Sequence, residues 1–360
     1  MKKWICAILA LLLIVPVSVV AEAAEISGKV IEIDEYGVAQ TDITNEDFYN
    51  AGFDLGDVVT LTAGSFTGDM PCFNGYYADR GSCMLRVNPY THISVCVNYG
   101  NFAEMAGLGV GDAVTIMLKE KGGALQIQEI NNLVYSDDRA DSVSDVAFAN
   151  FRPVVAGKLY RSASPVDNRI HRAQYADILI QEAGVRTVVN LSNTEEEIVA
   201  CIAAEDFASP YYKSLYESGQ VIALGLGIDF AFEDFAKGIV KGFSFLAERD
   251  TPYLVHCLEG KDRAGFAAMV LEALMGWSEA QIVADYMQSY FNYYGIEPGT
   301  DKYDLIVEKD IKEMLRIMTG LEAGTSLVET DLQASAKDFL LSNGMAEETL
   351  KRLEAKLALK

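Results

Sequence analysis

The residues best suited to chemistry lie together in one segment, residues 253–265, which reads Tyr-Leu-Val-His-Cys-Leu-Glu-Gly-Lys-Asp-Arg-Ala-Gly. An apolar stretch typical of a strand precedes Cys257, and an apolar stretch typical of a helix follows Arg263. Backbone N–H groups in a loop that joins a strand to a helix point towards one place, and the positive end of the helix dipole strengthens their field. The segment therefore predicts an anion-binding site with Cys257 at its base.

Cys257 and Arg263 have complementary roles in such a site. The field of the loop should stabilise the thiolate of Cys257, which is the nucleophilic form of cysteine. Arg263, six residues later, can hold two phosphate oxygens in bidentate fashion. Gly260 supplies a backbone turn that a β-carbon would obstruct. This pattern predicts in-line attack of sulfur on phosphorus, with the phosphate bound by Leu258, Glu259, Gly260, Lys261, Asp262 and Arg263.

This segment resembles the signature loop of the cysteine-dependent tyrosine phosphatase superfamily, His-Cys-x2-Gly-x2-Arg-Ser/Thr. More narrowly, His-Cys-x-x-Gly-Lys-Asp-Arg is similar to the bacterial tyrosine and lipid phosphatase branch. Residues 160–165 and 185–191 resemble other segments that recur in this phosphatase branch. The resemblance covers about residues 150–300. It implies a phosphocysteine intermediate on Cys257, with Arg263 as phosphate ligand. The chain departs from the pattern at Ala264, where a hydroxyl normally helps to expel the thiolate.

The resemblance also implies a proton donor on a loop before the cysteine strand. Asp229, within residues 225–230, occupies that position and would protonate the leaving oxygen and then activate water. An alternative is that Asp229 only caps the helix predicted to begin near Phe232. Asp262, inside the cysteine loop, is the rival general acid. His256 is expected to orient Cys257 by hydrogen bonding rather than to exchange protons with the substrate.

The elements around this loop alternate between strand and helix. That alternation predicts an α/β domain with a central, mainly parallel sheet. The chain after about residue 300 is expected to be helical. The predicted strands are residues 158–161, 185–191, 221–224 and 252–256, and the predicted helices are residues 171–183, 232–248, 263–275, 301–320 and 346–359.

The first part of the chain follows a different pattern. Alternating apolar runs separated by Gly- and Asp-rich turns predict a small all-β barrel or sandwich. Several of its segments resemble the C-terminal β-domain of S-adenosylmethionine hydroxide adenosyltransferases, whose catalytic aspartates lie in a separate domain without a counterpart here. We therefore interpret it as a binding or assembly module. The predicted strands are residues 26–33, 57–62, 92–97, 112–118 and 124–130, and the resembling segments are residues 35–43, 97–104 and 107–112.

Residues 1–24 have the form of a secretory signal peptide: two lysines, an apolar run and a small-x-small motif. The alternative is an uncleaved membrane anchor, since the run is near the minimum length for a span. We expect cleavage, no stable membrane span afterwards, and an extracellular or cell-envelope location. The domain limits are then residues 25–134 for the β-domain, 135–150 for a linker and 151–360 for the phosphatase-like domain with its helical extension.

Charge and composition limit the classes of partner and cofactor that the protein can bind. The formal net charge of −23 excludes a nucleic-acid-binding role. None of the three histidines has metal-ligand spacing, so we expect neither a metal nor another cofactor. Cys72 and Cys83 could form a disulfide in an oxidising compartment, and the sequence leaves this open. Cys201 could pair with Cys257, although a buried free thiol is the simpler interpretation.

The predicted activity is a phosphatase for phosphorylated proteins or small phosphate esters. Lys261 favours a highly phosphorylated ligand, such as a phosphoinositide or an inositol polyphosphate, whereas Glu259 and the acidic chain favour a single phosphate, as in phosphotyrosine. A cationic patch could override the net charge, and its candidates are Lys158, Arg161, Arg169, Arg172 and Lys261. A phosphate-binding module with little turnover is the alternative from another class. The arginine after the cysteine disfavours a sulfurtransferase.

Overall fold

The computed structural model of the protein describes residues 24–87 and 92–358. Nearly all of the predicted signal peptide lies outside these ranges. The chain forms two compact units, one ending at Asn132 and the other beginning at Leu133. Within the described ranges, every helix is too short or too polar to cross a lipid bilayer.

The first unit is a closed barrel of seven strands in the order β1-β2-β6-β5-β4-β3-β7. Antiparallel pairing of β1 with β7 closes the barrel, and alternate apolar residues such as Val59, Leu61 and Ile116 fill its interior. The predicted all-β domain is therefore confirmed. Its strands are β1 (Glu25–Ile33), β2 (Ala39–Thr44), β3 (Val58–Ala63), β4 (Phe66–Phe73), β5 (Cys83–Val87), β6 (His92–Val97) and β7 (Ala113–Glu120), and its helices are α1 (Asn45–Asn50), α2 (Phe102–Ala106) and α3 (Leu125–Ile130).

One predicted strand of this unit is wrong. Ala124 is the N-cap of α3, which contains the rest of the predicted strand, residues 125–130, and follows a turn with Gly122 at φ +68°. Ile127 and Ile130 lie three residues apart and therefore share a helical face, which a strand alternation cannot distinguish over so short a segment. Ile127 packs against a small cluster that contains Phe73 and Met84.

The second unit contains a five-stranded sheet in the order β11-β10-β12-β9-β8. All neighbouring pairs are parallel except β8 and β9, so the predicted mainly parallel sheet is confirmed. The strand before Cys257 is central, and His256 at its end pairs in register with Ser162 and Asn190. The strands are β8 (Arg152–Val155), β9 (Leu159–Ser162), β10 (Thr187–Asn190), β11 (Val221–Ala223) and β12 (Tyr253–His256).

Helices surround this sheet. The one after Cys257, α9, is buried on all sides from Ala264 to Leu274, as an apolar sequence without a polar face requires. A short π-helical segment, Val307–Ile311, joins two of the C-terminal helices. The helices are α4 (Asp145–Phe148), α5 (Ala173–Glu182), α6 (Glu195–Ile202), α7 (Pro210–Glu217), α8 (Glu233–Ala247), α9 (Asp262–Leu274), α10 (Glu279–Tyr294), α11 (Asp301–Ile306), α12 (Lys312–Thr319), α13 (Leu332–Ser342) and α14 (Glu347–Leu357).

The described cysteines are all free thiols, so the structure contains neither a Cys72–Cys83 bridge nor a Cys201–Cys257 bridge. Cys72 lies in the barrel core, where burial raises the pKa of its thiol far above the ordinary value. Cys201 is partly exposed on α6.

Candidate active site

The central strand delivers Cys257 to the carboxyl edge of the sheet. All four residues of β12 are buried between β9 and β10, and the backbone N–H of Leu191 donates to the oxygen of His256 at 2.9 Å. Cys257 follows directly and is only 2% exposed. In parallel sheets, ligands bind at this edge, where loops lead from strands into helices.

Gly260 adopts a backbone conformation that other residues could not adopt here. Its φ is +68°, and a β-carbon would lie 2.2 Å from the backbone oxygen of Ser162 at the end of β9. Both the left-handed conformation and the close approach require glycine. The predicted role of Gly260 in the turn is confirmed.

The loop presents a series of backbone donors. The N–H groups of Leu258, Glu259, Gly260 and Lys261 donate to no acceptor in the part of the chain that the structure describes. The next N–H groups belong to the first turn of α9, where helices have no internal acceptors for them. This arrangement can bind an anion through several main-chain hydrogen bonds.

Arg263 is anchored by one of its nitrogens. Its Nη1 donates to the backbone oxygen of Leu226 at 2.8 Å, on the loop between β11 and α8. Its Nε is buried and has no hydrogen-bond partner within the described ranges. That unused donor is available to a phosphate oxygen.

His256 lies beneath the loop and is fully buried. Burial lowers the pKa of its imidazole to about 3, and the nearby Arg263 charge acts in the same direction. Its Nδ1 lies 3.4 Å from the backbone oxygen of Cys257, and its ring meets Tyr212 edge-on. The ring is therefore neutral, and the contact that the structure records is with the Cys257 backbone rather than with the sulfur.

Asp229 occupies the loop between β11 and α8. Its Oδ1 accepts a hydrogen bond from the N–H of Ala231 at 3.1 Å, and the next residue, Phe230, stacks on Phe266 of α9. The loop is thus fastened to α9 close to Asp229. The alternative role as a helix cap is wrong, because Phe232 is the N-cap of α8 and no side chain caps that helix.

Asp262, the rival acid, faces a different neighbour. Its Oδ1 accepts a hydrogen bond from the hydroxyl of Tyr286 at 3.3 Å and lies 3.8 Å from Nζ of Lys261. These contacts direct the carboxylate towards α10.

Lys261 and Glu259 turn their side chains towards the same tyrosine-rich helix. Nζ of Lys261 lies 3.2 Å from Oε2 of Glu259 and donates to the hydroxyl of Tyr294 at 3.1 Å. Burial alone would lower the pKa of Lys261, but the Asp262 and Glu259 carboxylates outweigh it and raise that pKa. The Lys261 charge is therefore paired within the loop and is not left free.

The predicted cationic patch is also not formed. Arg161 is fully buried, and Arg172 is buried with its guanidinium bonded to the backbone oxygens of Phe148 and Ser136. Arg169 is exposed but pairs with Asp167. The two lysines also have partners: Lys158 donates a hydrogen bond to the backbone oxygen of Ala358, and Lys261 donates one to the hydroxyl of Tyr294.

The tyrosines of α10 support the loop from behind. Tyr286, Tyr290 and Tyr293 are buried in the packing of this helix. The hydroxyl of Tyr293 donates to the backbone oxygen of Glu259 at 2.6 Å. Support for the loop by a tyrosine hydroxyl was not predicted from the sequence.

Two further supporting residues were missed. Arg161 donates to the loop backbone, and Asp285 on α10 holds Arg161. Arg161 lies in the recurring segment 160–165, which gave a signal for its importance. Asp285 is an acid among the aromatic residues of α10, and its partner could not be identified without the fold.

The described ranges contain no group of three or more His, Cys, Asp or Glu side chains arranged to hold a metal ion. His92, His171 and His256 lie on separate elements. The site's polar groups are instead suited to an oxyanion.

Several known proteins are similar to parts of this chain. A Cupriavidus necator protein named as a putative tyrosine-protein phosphatase is 27% identical over 185 aligned positions; the match covers 46% of this chain and 66% of that protein, slightly under two thirds of its length. The core catalytic domain of the PP-IP phosphatase SIW14 from S. cerevisiae, solved with citrate, is 20% identical with a TM-score of 0.29, covering 48% of this chain and 91% of that one. P. aeruginosa TpbA is 21% identical with a TM-score of 0.27, covering 44% and 84%.

Two family models match the chain. Residues 28–115 match the S-adenosylmethionine hydroxide adenosyltransferase C-terminal domain, as the resemblance of the barrel predicted. Residues 143–359 match the tyrosine phosphatase family, and this match includes the whole cysteine loop and more than half of the chain. The chain therefore belongs to the tyrosine phosphatase family.

Proposed function

We propose that the protein hydrolyses phosphate monoesters through a phosphocysteine on Cys257. The main support is the loop from His256 to Arg263, with its unused N–H donors and the unpartnered Nε of Arg263. The Cys257 thiolate attacks phosphorus, the S–P bond forms, and the ester oxygen leaves with a proton from a general acid. Water then attacks the phosphocysteine and gives up a proton to that same group. Inorganic phosphate and the free thiolate result.

Asp229 is our choice for the general acid. Its loop contacts Arg263 through Leu226 and α9 through Phe230. Asp262, by contrast, faces α10, where it accepts a hydrogen bond from Tyr286 and lies 3.8 Å from Nζ of Lys261. A proton donor must reach the leaving oxygen, and the loop attached to the phosphate-binding arginine is the better platform.

A singly phosphorylated aryl ester, such as phosphotyrosine, is the preferred substrate class. The charges of Lys261 and Arg161 are paired with Glu259 and Asp285, so neither is free to bind the additional phosphates of an inositol polyphosphate. Two large apolar side chains beside Asp229 are exposed, Ile228 at 71% and Phe232 at 57%. Exposed apolar groups near a phosphate site favour a leaving group with an apolar ring.

A phosphate-binding module with low turnover is the second candidate. Ala264 supports it, because this buried residue has no hydroxyl to assist release of the thiolate. The phosphocysteine would then accumulate after one turnover.

We also propose that the protein is exported. Lys2 and Lys3, the apolar run and the small-residue motif near residue 23 support cleavage of a signal peptide. N-terminal sequencing of protein recovered from the native host tests this, and a mature N-terminus at Met1 would contradict it.

The activity is tested with purified protein, chelator and a panel of phosphotyrosine peptide, phosphoinositide and phytate. We expect steady-state release of phosphate from the peptide above all, and a phosphoprotein that survives acid quenching. Cys257→Ser should abolish both signals, whereas Cys201→Ser, a matched change of another free thiol, should leave both intact. Activity retained by Cys257→Ser would refute the mechanism. A single burst without steady-state turnover would instead identify the low-turnover module.

A further inference from the structure

The direction of the loop N–H groups is set from outside the loop. In a trans peptide, the carbonyl of one residue and the N–H of the next point in opposite directions. A partner that holds a carbonyl on the outer side therefore turns the following N–H to the inner side. Every carbonyl from Leu258 to Lys261 has such a partner.

The first two carbonyls are held by neutral donors. The oxygen of Leu258 accepts from the backbone N–H of Ser164 at 2.9 Å. The oxygen of Glu259 accepts from the Tyr293 hydroxyl at 2.6 Å and from Nδ2 of Asn150 at 3.1 Å. These bonds direct the N–H groups of the next residues, Glu259 and Gly260.

The next two carbonyls are held by one guanidinium nitrogen. Nη2 of Arg161 donates to the oxygens of Gly260 at 2.9 Å and Lys261 at 3.0 Å. Its Nη1 donates to Oδ2 of Asp285 at 2.6 Å. The planar, rigid guanidinium holds the two carbonyls through Nη2 and Asp285 through Nη1 in one fixed arrangement, whereas the flexible side chain of a lysine has only one nitrogen for all three partners.

The Arg161–Asp285 pair belongs to a buried cluster. Nε of Arg152 donates to Oδ1 of Asp285 at 2.6 Å, so that one carboxylate holds two guanidinium groups. Burial and the Asp285 charge raise the pKa of the neighbouring Glu272 well above the ordinary value. The cluster therefore carries an excess of positive charge behind the loop. A buried ion cluster is costly to form, so its value lies in geometry and charge rather than in stability.

We propose that Arg161, held by Asp285, is a positioning residue that aims the N–H groups of Lys261 and Asp262 at the phosphate. This inference rests on the proposed phosphate-binding function. It assigns Arg161 no contact with the substrate. The competing explanation is that the cluster only stabilises the fold.

Arg161→Lys separates these possibilities, because it keeps the positive charge and disrupts the pair of hydrogen bonds to the oxygens of Gly260 and Lys261. The control is Arg316→Lys, since Arg316 is also buried, bonds the backbone oxygen of Thr325 and pairs with Glu308 and Glu313, all outside the loop. The probe is tungstate, a phosphate-like oxyanion, titrated by calorimetry. Both variants should lower Tm, but only Arg161→Lys should weaken tungstate binding and lower kcat/KM, by about 100-fold.

Unchanged tungstate Kd and kcat/KM in folded Arg161→Lys would overturn the inference. So would an equal loss of affinity in Arg316→Lys. If Arg161→Lys does not fold, the isosteric Asp285→Asn takes its place, with the same expected direction and the same overturning result. An inactive wild-type protein that still binds tungstate would contradict the proposed hydrolysis, while the Kd comparison would still decide the role of Arg161.

Discussion

Nη1 of Arg263 donates to the backbone oxygen of Leu226 at 2.8 Å, which joins the arginine of the cysteine loop to the loop that carries Asp229. Phe230, in the same loop, stacks on Phe266 of α9. Helix α9 therefore contacts this loop at two points, through Arg263 and through Phe266. Two separate sequence segments, one with the candidate acid and one with the candidate nucleophile, thus form one structural unit. Proton donation and phosphate binding are expected to depend on each other.

Asp229→Asn should lower kcat by about 100-fold or more for a substrate with a poor leaving group, because general acids typically contribute that much. The loss should be smaller for p-nitrophenyl phosphate, whose leaving oxygen needs little protonation. Asp262→Asn is the matched comparison and should cost less with both substrates. Steady-state kinetics on the two esters measures this. A larger loss in Asp262→Asn would make that residue the acid.

Gly260→Ala should abolish most activity and destabilise the domain. A β-carbon would lie 2.2 Å from the Ser162 oxygen, and the φ of +68° is unfavourable for alanine. Gly157→Ala is the control, because Gly157 has φ +70° but no neighbouring atom within 4 Å of the place that a β-carbon would occupy. That control should lose only about 1 kcal/mol of unfolding free energy and keep its kcat/KM. Thermal unfolding and steady-state kinetics measure both effects. Equal losses of stability and of kcat/KM in the two variants would contradict the prediction.

Glu272 should make the domain less stable as the pH rises. Burial and the Asp285 charge raise its pKa in the folded protein, so above the ordinary carboxyl pKa the folded state binds more protons than the unfolded state. The free energy of unfolding then falls from about pH 4.5 upwards, by at most about 1.4 kcal/mol per pH unit. Glu272→Gln removes this slope and should gain stability relative to wild type.

Urea unfolding at about pH 5 and about pH 7 measures the effect. The exposed Glu248→Gln is the control and should leave the pH dependence unchanged. Parallel pH profiles for wild type and Glu272→Gln would show that Glu272 is ionised in the fold.

Lys261→Met should not change the preference between phosphotyrosine peptide and phytate. The side chain of Lys261 faces Glu259 and Tyr294, so its loss should affect kcat/KM for both substrates by the same factor. The Tm should fall, because Glu259 and Asp262 lose their cationic partner. A selective loss of phytate hydrolysis would place the Lys261 charge in the substrate site after all.

Much of the architecture was predictable because the signals are local. The apolar run 252–256, Gly260 and the apolar run after Arg263 predicted strand, turn and helix, and the structure has β12, the positive φ and α9 at those places. Strand β4 was not predicted, because Gly68, Asp69 and Pro71 interrupt its pattern. Helix α3 was mistaken for a strand because so short a segment does not separate the two periodicities.

By itself, the sequence determined the candidate nucleophile, the candidate phosphate-binding arginine and the glycine between them, because neighbouring residues in one strand–loop–helix unit fix their relation. Only the tertiary structure decided where the charged side chains around the loop find their partners. Lys261 turns away to Glu259, and Arg161 supports the oxygen of Gly260 from 99 residues away. Both outcomes depend on the pairing of β12 with β9 and on the packing of α10 behind the loop, which bring together residues that no local pattern connects.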